Sequence, residues 1–265
     1  MKNLQFSRMK VATLRVISLL LTVLLLVSFH TTVFASGDFE PVEDTPYGIP
    51  IYESVDDVDL AVVIRGHGEK RLLDIVNSAE ITSTNYNKSF NIKFSSNTLL
   101  VKDETLYVEN FESRAENAQS GNTSTLRIYD GDNSKEYRKD PFGKTENPIT
   151  ADAAEKHLGT TILPFDLENY EIDLQTRKEE DGKYCFTFNM KPLNEEAAKT
   201  DFSECALEMD SSTSLVTAVK YHSMSAGGES VMSDGSVVNT LPQDTTVQSS
   251  YSYGVEKEPD YSLMN

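Results

Sequence analysis

Between residues 60 and 255 the chain returns again and again to a period of two, the pattern of a strand with one face buried. The clearest run is "KYCFTFNMKP", residues 183–192, where Tyr184, Phe186, Phe188 and Met190 alternate with Cys185, Thr187 and Asn189. Comparable runs fall at 60–64, 90–94, 99–108, 125–129, 170–175, 205–209, 215–221, 236–240 and 247–255. The separators "SSN", "DGDN", "EEDG", "DSST" and "SAGG" are rich in residues that accept tight turns. Together these predict a large, mostly antiparallel sheet built from hairpins. Helix signals are few. "EKRLLDIVNSAE" sets Leu72, Ile75, Val76 and Ala79 on one helical face, and "ADAAEKHLG" offers Asp152 as a cap, Glu155 three residues on and Gly159 as a stop.

The ends differ in kind. Lys2, Arg8, Lys10 and Arg15 precede an apolar run over 16–27 that ends in "TTVFAS", so residues 1–35 read as a signal peptide cut between Ala35 and Ser36. The alternative is an uncleaved membrane anchor. Either way the body is secreted or extracytoplasmic, and a membrane is met only through the leader. Residues 36–55, broken by Pro41, Pro46 and Pro50, read as an extended linker; 56–255 read as one β-rich domain, and 256–265 as a mobile acidic tail. Loss of the leader, with four basic residues and no acidic one, takes the net charge from −18 to −22. Phosphate backbones would repel such a body, so nucleic acid is excluded as a partner.

Two cysteines in an exported chain, Cys185 and Cys205, each within its own strand run, predict a cross-strand disulfide, with a nucleophilic thiol as the alternative. A bridge needs both sulfurs on one face. That face then carries Leu207 and Met209, and the opposite one the Tyr184–Met190 row. A sheet apolar on both faces needs two covers: helices on one, and a second sheet, a partner or an apolar ligand on the other. The row Tyr184, Phe186, Phe188 and Met190 is therefore the candidate ligand groove. If a second sheet fills that place, the fold is a β-sandwich and the role structural or adhesive.

No motif identifies a reaction. "VVIRGHGEKRLL" imitates a dinucleotide loop, but Arg71 holds the third glycine position; Gly66 and Gly68 are expected in a strand-to-helix turn that needs positive φ. "YDGDNSKE" lacks the glycine and the final glutamate of a calcium loop, and reads as an Asp-Gly turn. His67, His157 and His222 lie far apart in sequence, and no serine sits in a nucleophile frame. No catalytic, metal or cofactor residue is expected.

The runs "TLRIYDGDNSKEYRKD", "YCFTFNMKP" and "LEMDSSTSLVTAVKYHS", with a helical insert between the first two, resemble the exported LolA-like family of periplasmic lipoprotein carriers. The resemblance implies a half-barrel, an incomplete antiparallel barrel wrapped on one side around helices. It also implies a non-enzymatic role: binding an apolar or lipid-like ligand, or sensing an envelope component or protein. It covers about residues 90–253, rests on hairpins, and transfers no site residue.

Overall fold

The computed structural model describes residues 48–101, 105–114, 121–231 and 237–265. The chain divides into Met1–Phe39 and a second compact unit, Glu40–Asn265, to which all of these belong. The expected leader, and the linker before residue 48, lie outside the described residues.

Thirteen strands are described: β1 (Ser78–Asn87), β2 (Ile92–Val101), β3 (Thr105–Arg114), β4 (Gly121–Ile128), β5 (Lys135–Asp140), β6 (Gly143–Pro148), β7 (Tyr170–Glu180), β8 (Lys183–Pro192), β9 (Thr200–Asp210), β10 (Val216–Ser225), β11 (Gly228–Val231), β12 (Val237–Thr240) and β13 (Gln243–Tyr253). Eleven form one open antiparallel sheet in the order β6-β5-β4-β3-β2-β1-β13-β10-β9-β8-β7, while β11 and β12 pair separately. Three short helices accompany it: α1 (Leu60–Glu69), α2 (Leu72–Ile75) and α3 (Ala151–Leu158). This is the open, half-barrel type of sheet with helices against one face. No second large sheet closes over it among the described residues, so the sandwich alternative is not the fold.

Several elements differ from the sequence reading. Residues 60–64 are helix, not strand. Asp59 caps α1 by accepting from the amides of Ala61 and Val62 at 3.0 and 3.4 Å. Leu60, Val63, Ile64 and His67, spaced i, i+3, i+4, i+7, are its buried face. Gly66 and Gly68 sit in this helix with ordinary φ. For Gly66 the reason is close approach, since a Cβ there would come within 2.7 Å of Ile49 Cγ1; at Gly68 a Cβ would make only ordinary contacts with the Leu163 and Phe165 carbonyls at 3.6 and 3.7 Å. The run at 99–108 belongs to two strands, β2 and β3, paired from Val101↔Thr105 to Ile92↔Arg114. The second predicted helix forms as α3, capped by Thr150 rather than Asp152, and stops at Gly159 as expected. Residues Asp181 (φ 51) and Gly182 (φ 73) make the left-handed turn that "EEDG" announced between β7 and β8.

The core lies between α1, the segment 162–165 and the inner face of the sheet. That face combines Tyr184, Phe186, Phe188 and Met190 of β8 with Cys205, Leu207 and Met209 of β9, Val219 and Tyr221 of β10, Tyr251 of β13, and Ala79, Leu100 and Leu106 of β1–β3. On the outer face, Leu99 and Leu126 are also fully buried. The chain end returns toward this side of the molecule: Tyr261–Met264 forms a 3-10 turn beside β4 and β5, Leu263 is buried, and Lys257 pairs with Glu80. The expected mobile tail is thus a docked strap. The linker is docked too from Gly48 onward, for Ile49 is fully buried and the Tyr52 carbonyl accepts from the Tyr184 hydroxyl at 3.1 Å.

Candidate functional site

The predicted row Tyr184, Phe186, Phe188 and Met190 lies on one face of β8 as alternation required, each residue 1–3 % exposed. It is the back wall of the core. Phe188 meets Phe165 edge-on, ring centroids 5.4 Å apart, and Phe165 also touches Phe202 (6.1 Å) and Tyr221 (5.6 Å), all at the tilts aromatic quadrupoles favour.

The disulfide is overturned, since Cys185 and Cys205 are both free. Register gives the reason: Cys185 stands opposite Glu208, and Cys205 opposite Phe188. Adjacent partners share a face, so Cys205 points inward with the Tyr184–Met190 row while Cys185 points outward. Burial raises both thiols, Cys205 to about 12. The same register corrects the claim built on the bridge. In β8 and β9 the large apolar residues face inward, and Cys185, Thr187, Asn189, Ala206 and Glu208 take the other side; the second buried face lies instead at Leu99 on β2 and Leu126 on β4. A bulge at Glu204 (φ 51) shifts the phase of β9, so that Phe202 and Cys205 both face inward despite their odd spacing.

A cleft of about 390 Å³ opens where the sheet ends, between the segment 56–61 and the edge strand β7. Its apolar floor is Val58, Leu60, Ala61, Ile172 and Leu174. Ile172 stands opposite Met190 and Leu174 opposite Phe188, so the cleft is one strand from the row. Asp56, Asp57 and Asp59 form its rim, and Arg177 reaches across from β7 to donate to the Asp56 carbonyl at 2.8 Å. A second cleft of about 550 Å³ lies under the returning chain end, lined by Val101, Val255, Lys257, Pro259 and Tyr261 among others.

The cover over the row is tied to the sheet through one histidine. His67 is fully buried. Its Nδ1–H donates to the Val63 carbonyl at 2.9 Å and its Nε2 accepts the Val216 amide at 3.3 Å, which fixes a neutral ring with one tautomer. Burial pushes its pKa down to about 4. The following segment is held similarly: the Ile162 amide bonds the His67 carbonyl at 3.1 Å, and the Tyr251 hydroxyl bonds the Ile162 carbonyl at 2.7 Å.

The histidines do not converge. His157 lies on α3 beside Tyr129, ring centroids 6.3 Å apart. His222 joins two residues that sequence reasoning missed: its Nδ1 is 3.3 Å from Ser203 Oγ and its Nε2 2.7 Å from Asp244 Oδ1. That contact holds the Asp244 carboxyl below its usual range. The order of contacts is that of a proton relay, but the three stand on the outer face of β9, β10 and β13, and neither cleft is lined by any of them. Only strand register brings them together, and no local motif announces it. Among the described residues no cluster of three or more His, Cys, Asp or Glu could hold a metal, and no helix is long and apolar enough to cross a membrane.

The fold and site are those of an open antiparallel half-barrel with one small helical cover and an apolar cleft at its edge. No family model and no curated protein sequence matches the chain. Among solved structures it is similar to a putative outer membrane lipoprotein-sorting protein domain from Vibrio parahaemolyticus, with 9 % identity over 70 % of this chain and 88 % of that one and a TM-score of 0.25. It is also similar to a LolA superfamily protein from Nitrosomonas europaea, with 11 % identity over 78 % and 98 % of the two chains and a TM-score of 0.25. The fold itself rests on the strand order above.

Proposed function

We propose that the protein is an extracytoplasmic, non-catalytic binding protein for an apolar, lipid-like ligand, which enters at the β7 edge and lies against the Tyr184–Met190 row as the α1 cover lifts. The observation that carries this reading is the edge cleft, whose floor continues through Ile172 and Leu174 into the row. Its volume falls in the range of small-molecule sites, about 300–1,000 Å³, and an apolar face left ajar at a sheet edge is a place where burial of a hydrocarbon chain stabilises the complex. The cover is one ten-residue helix and the segment after α3, a small body to move.

The test is native mass spectrometry, with organic extraction, of the protein secreted from a bacterial host. The expected result is extra mass that extracts as lipid and is lost in Leu174→Asp, a half-buried edge position whose change leaves the circular dichroism spectrum intact. A wild-type protein that stays apo after incubation with mixed membrane lipids overturns the reading. A second reading, a structural or adhesive module that recognises an envelope protein, is favoured by the closure of the row itself, with Phe186 and Phe188 each 1 % exposed. An apo protein that captures an envelope protein through its sheet edges would establish it.

A further inference from the structure

We infer that the ligand of the edge cleft is a single-chain amphiphile with a cationic head, an alkyl chain ending in an ammonium group, and that the cleft rejects the corresponding carboxylate. This rests on the apolar-ligand reading and adds the chemistry of the head. The floor, Val58, Leu60, Ala61, Ile172 and Leu174, offers no hydrogen-bonding side chain, so it suits hydrocarbon. The mouth is different. Three carboxylates, Asp56, Asp57 and Asp59, stand there against the one guanidinium of Arg177. That guanidinium is engaged with a backbone oxygen, the Asp56 carbonyl at 2.8 Å, and so pins β7 to the segment before α1.

Asp59 spends part of its charge on the first amides of α1, whose N-terminus it caps. Asp56 and Asp57 are exposed on the solvent side of the mouth. A head held at that mouth meets a negative field, reinforced by the net charge of the chain, −18 over all its residues. An anionic head placed there would be opposed by the two exposed carboxylates of Asp56 and Asp57, with only the one guanidinium of Arg177, already oriented toward the Asp56 carbonyl, in its favour. A cationic head would gain two exposed ion-pair partners while its chain lies on the floor, so charge complementarity selects the occupant.

Isothermal titration calorimetry at pH 7.5 with dodecyltrimethylammonium and with dodecanoate, both kept below micelle formation, tests this. Wild type is expected to bind the cation tightly and the carboxylate at least tenfold more weakly. Asp56→Asn/Asp57→Asn should weaken the cation by about three- to tenfold, the sum of two exposed pairs. A control, Asp132→Asn/Glu195→Gln, makes the same charge change at two exposed positions away from the cleft and should leave affinity unchanged. An equal loss in the control would mean a diffuse field, and equal affinity for the two probes would mean no head selection; either overturns the inference. In the second case, loss of both probes in Leu174→Asp leaves the apolar-ligand reading standing. Binding of neither probe overturns that reading and this one together.

Discussion

Protonating His67 should loosen the cover from the sheet, and the size of the effect follows from its two hydrogen bonds. Nε2 can accept the Val216 amide only while the ring is neutral, and Lys70 adds a small repulsion to the desolvation that burial imposes. The rings nearest along the inner face, Tyr221, Tyr251 and Tyr253, have their ionisation pushed upward by burial and stay neutral at and below neutral pH. A histidine at 6.5 when unfolded and about 4 when folded binds more protons in the unfolded chain between those values. Its contribution is therefore complete above pH 6.5 and lost as pH falls toward 4. The total is about 3 kcal/mol, and about 2 kcal/mol of it is gone by pH 5. Glu80, Asp210, Asp244 and Asp260, all held below the usual carboxylate range, lose their contributions mainly below their unfolded values of 4.5 for Glu and 3.8 for Asp, more acidic than pH 5. Urea unfolding of wild type and His67→Gln at pH 7.5, 6.5, 5.5 and 5 separates the effects. Wild type should lose about 2 kcal/mol across the series. The variant should start lower by about 1–3 kcal/mol, because a buried amide has lost its ring partner, yet stay nearly flat. Equal slopes in the two proteins would refute the argument that this ring carries the pH dependence.

Three further outcomes follow from the packing. A thiol count in denaturant should return two free thiols in protein taken from the native compartment, and dithiothreitol should leave the thermal midpoint unchanged; a reductant-sensitive midpoint would restore the bridge. Leu263→Ala should cost about 2 kcal/mol in urea unfolding, the low end for a buried leucine, because the chain end is docked; no change would return the tail to the mobile state expected of it. Gly66→Ala should cost about 1–3 kcal/mol through overpacking against Ile49, and much less when made in an Ile49→Ala background, itself destabilised by the lost burial of Ile49; an equal cost in both backgrounds would place the strain elsewhere.

The sequence disclosed the sheet better than its cover. β8 was legible because alternation and burial coincide there: Tyr184, Phe186, Phe188 and Met190 are apolar and inward without exception. Residues 60–64 misled because Val62, Val63 and Ile64 are β-branched, while the helical face they complete includes His67, a residue scored as polar until its two partners are known. The cysteines misled through proximity in sequence, for two runs that pair as neighbours still need matching register. Alternation placed Tyr184, Phe186, Phe188 and Met190 on one inward face, where they line the core. The cleft beside them could not be found, because Asp56 and Arg177 are 121 residues apart and meet only through tertiary packing. Ser203, His222 and Asp244 were hidden for the same reason.

The strand order has a kinetic consequence. β1 to β6 form one meander and β7 to β10 another, each able to zip from neighbouring hairpins. They are joined only when β13 slots between β10 and β1, a closure whose seam links Ser78 to the Val255 carbonyl across 177 residues. Closing so long a loop carries a large entropic cost before its contacts form. A chain emerging amino end first must therefore hold β1 as an open edge until nearly its last strand has arrived. Final assembly is set by the arrival of the carboxyl end, and any factor that shields that waiting edge would govern the yield of folded protein.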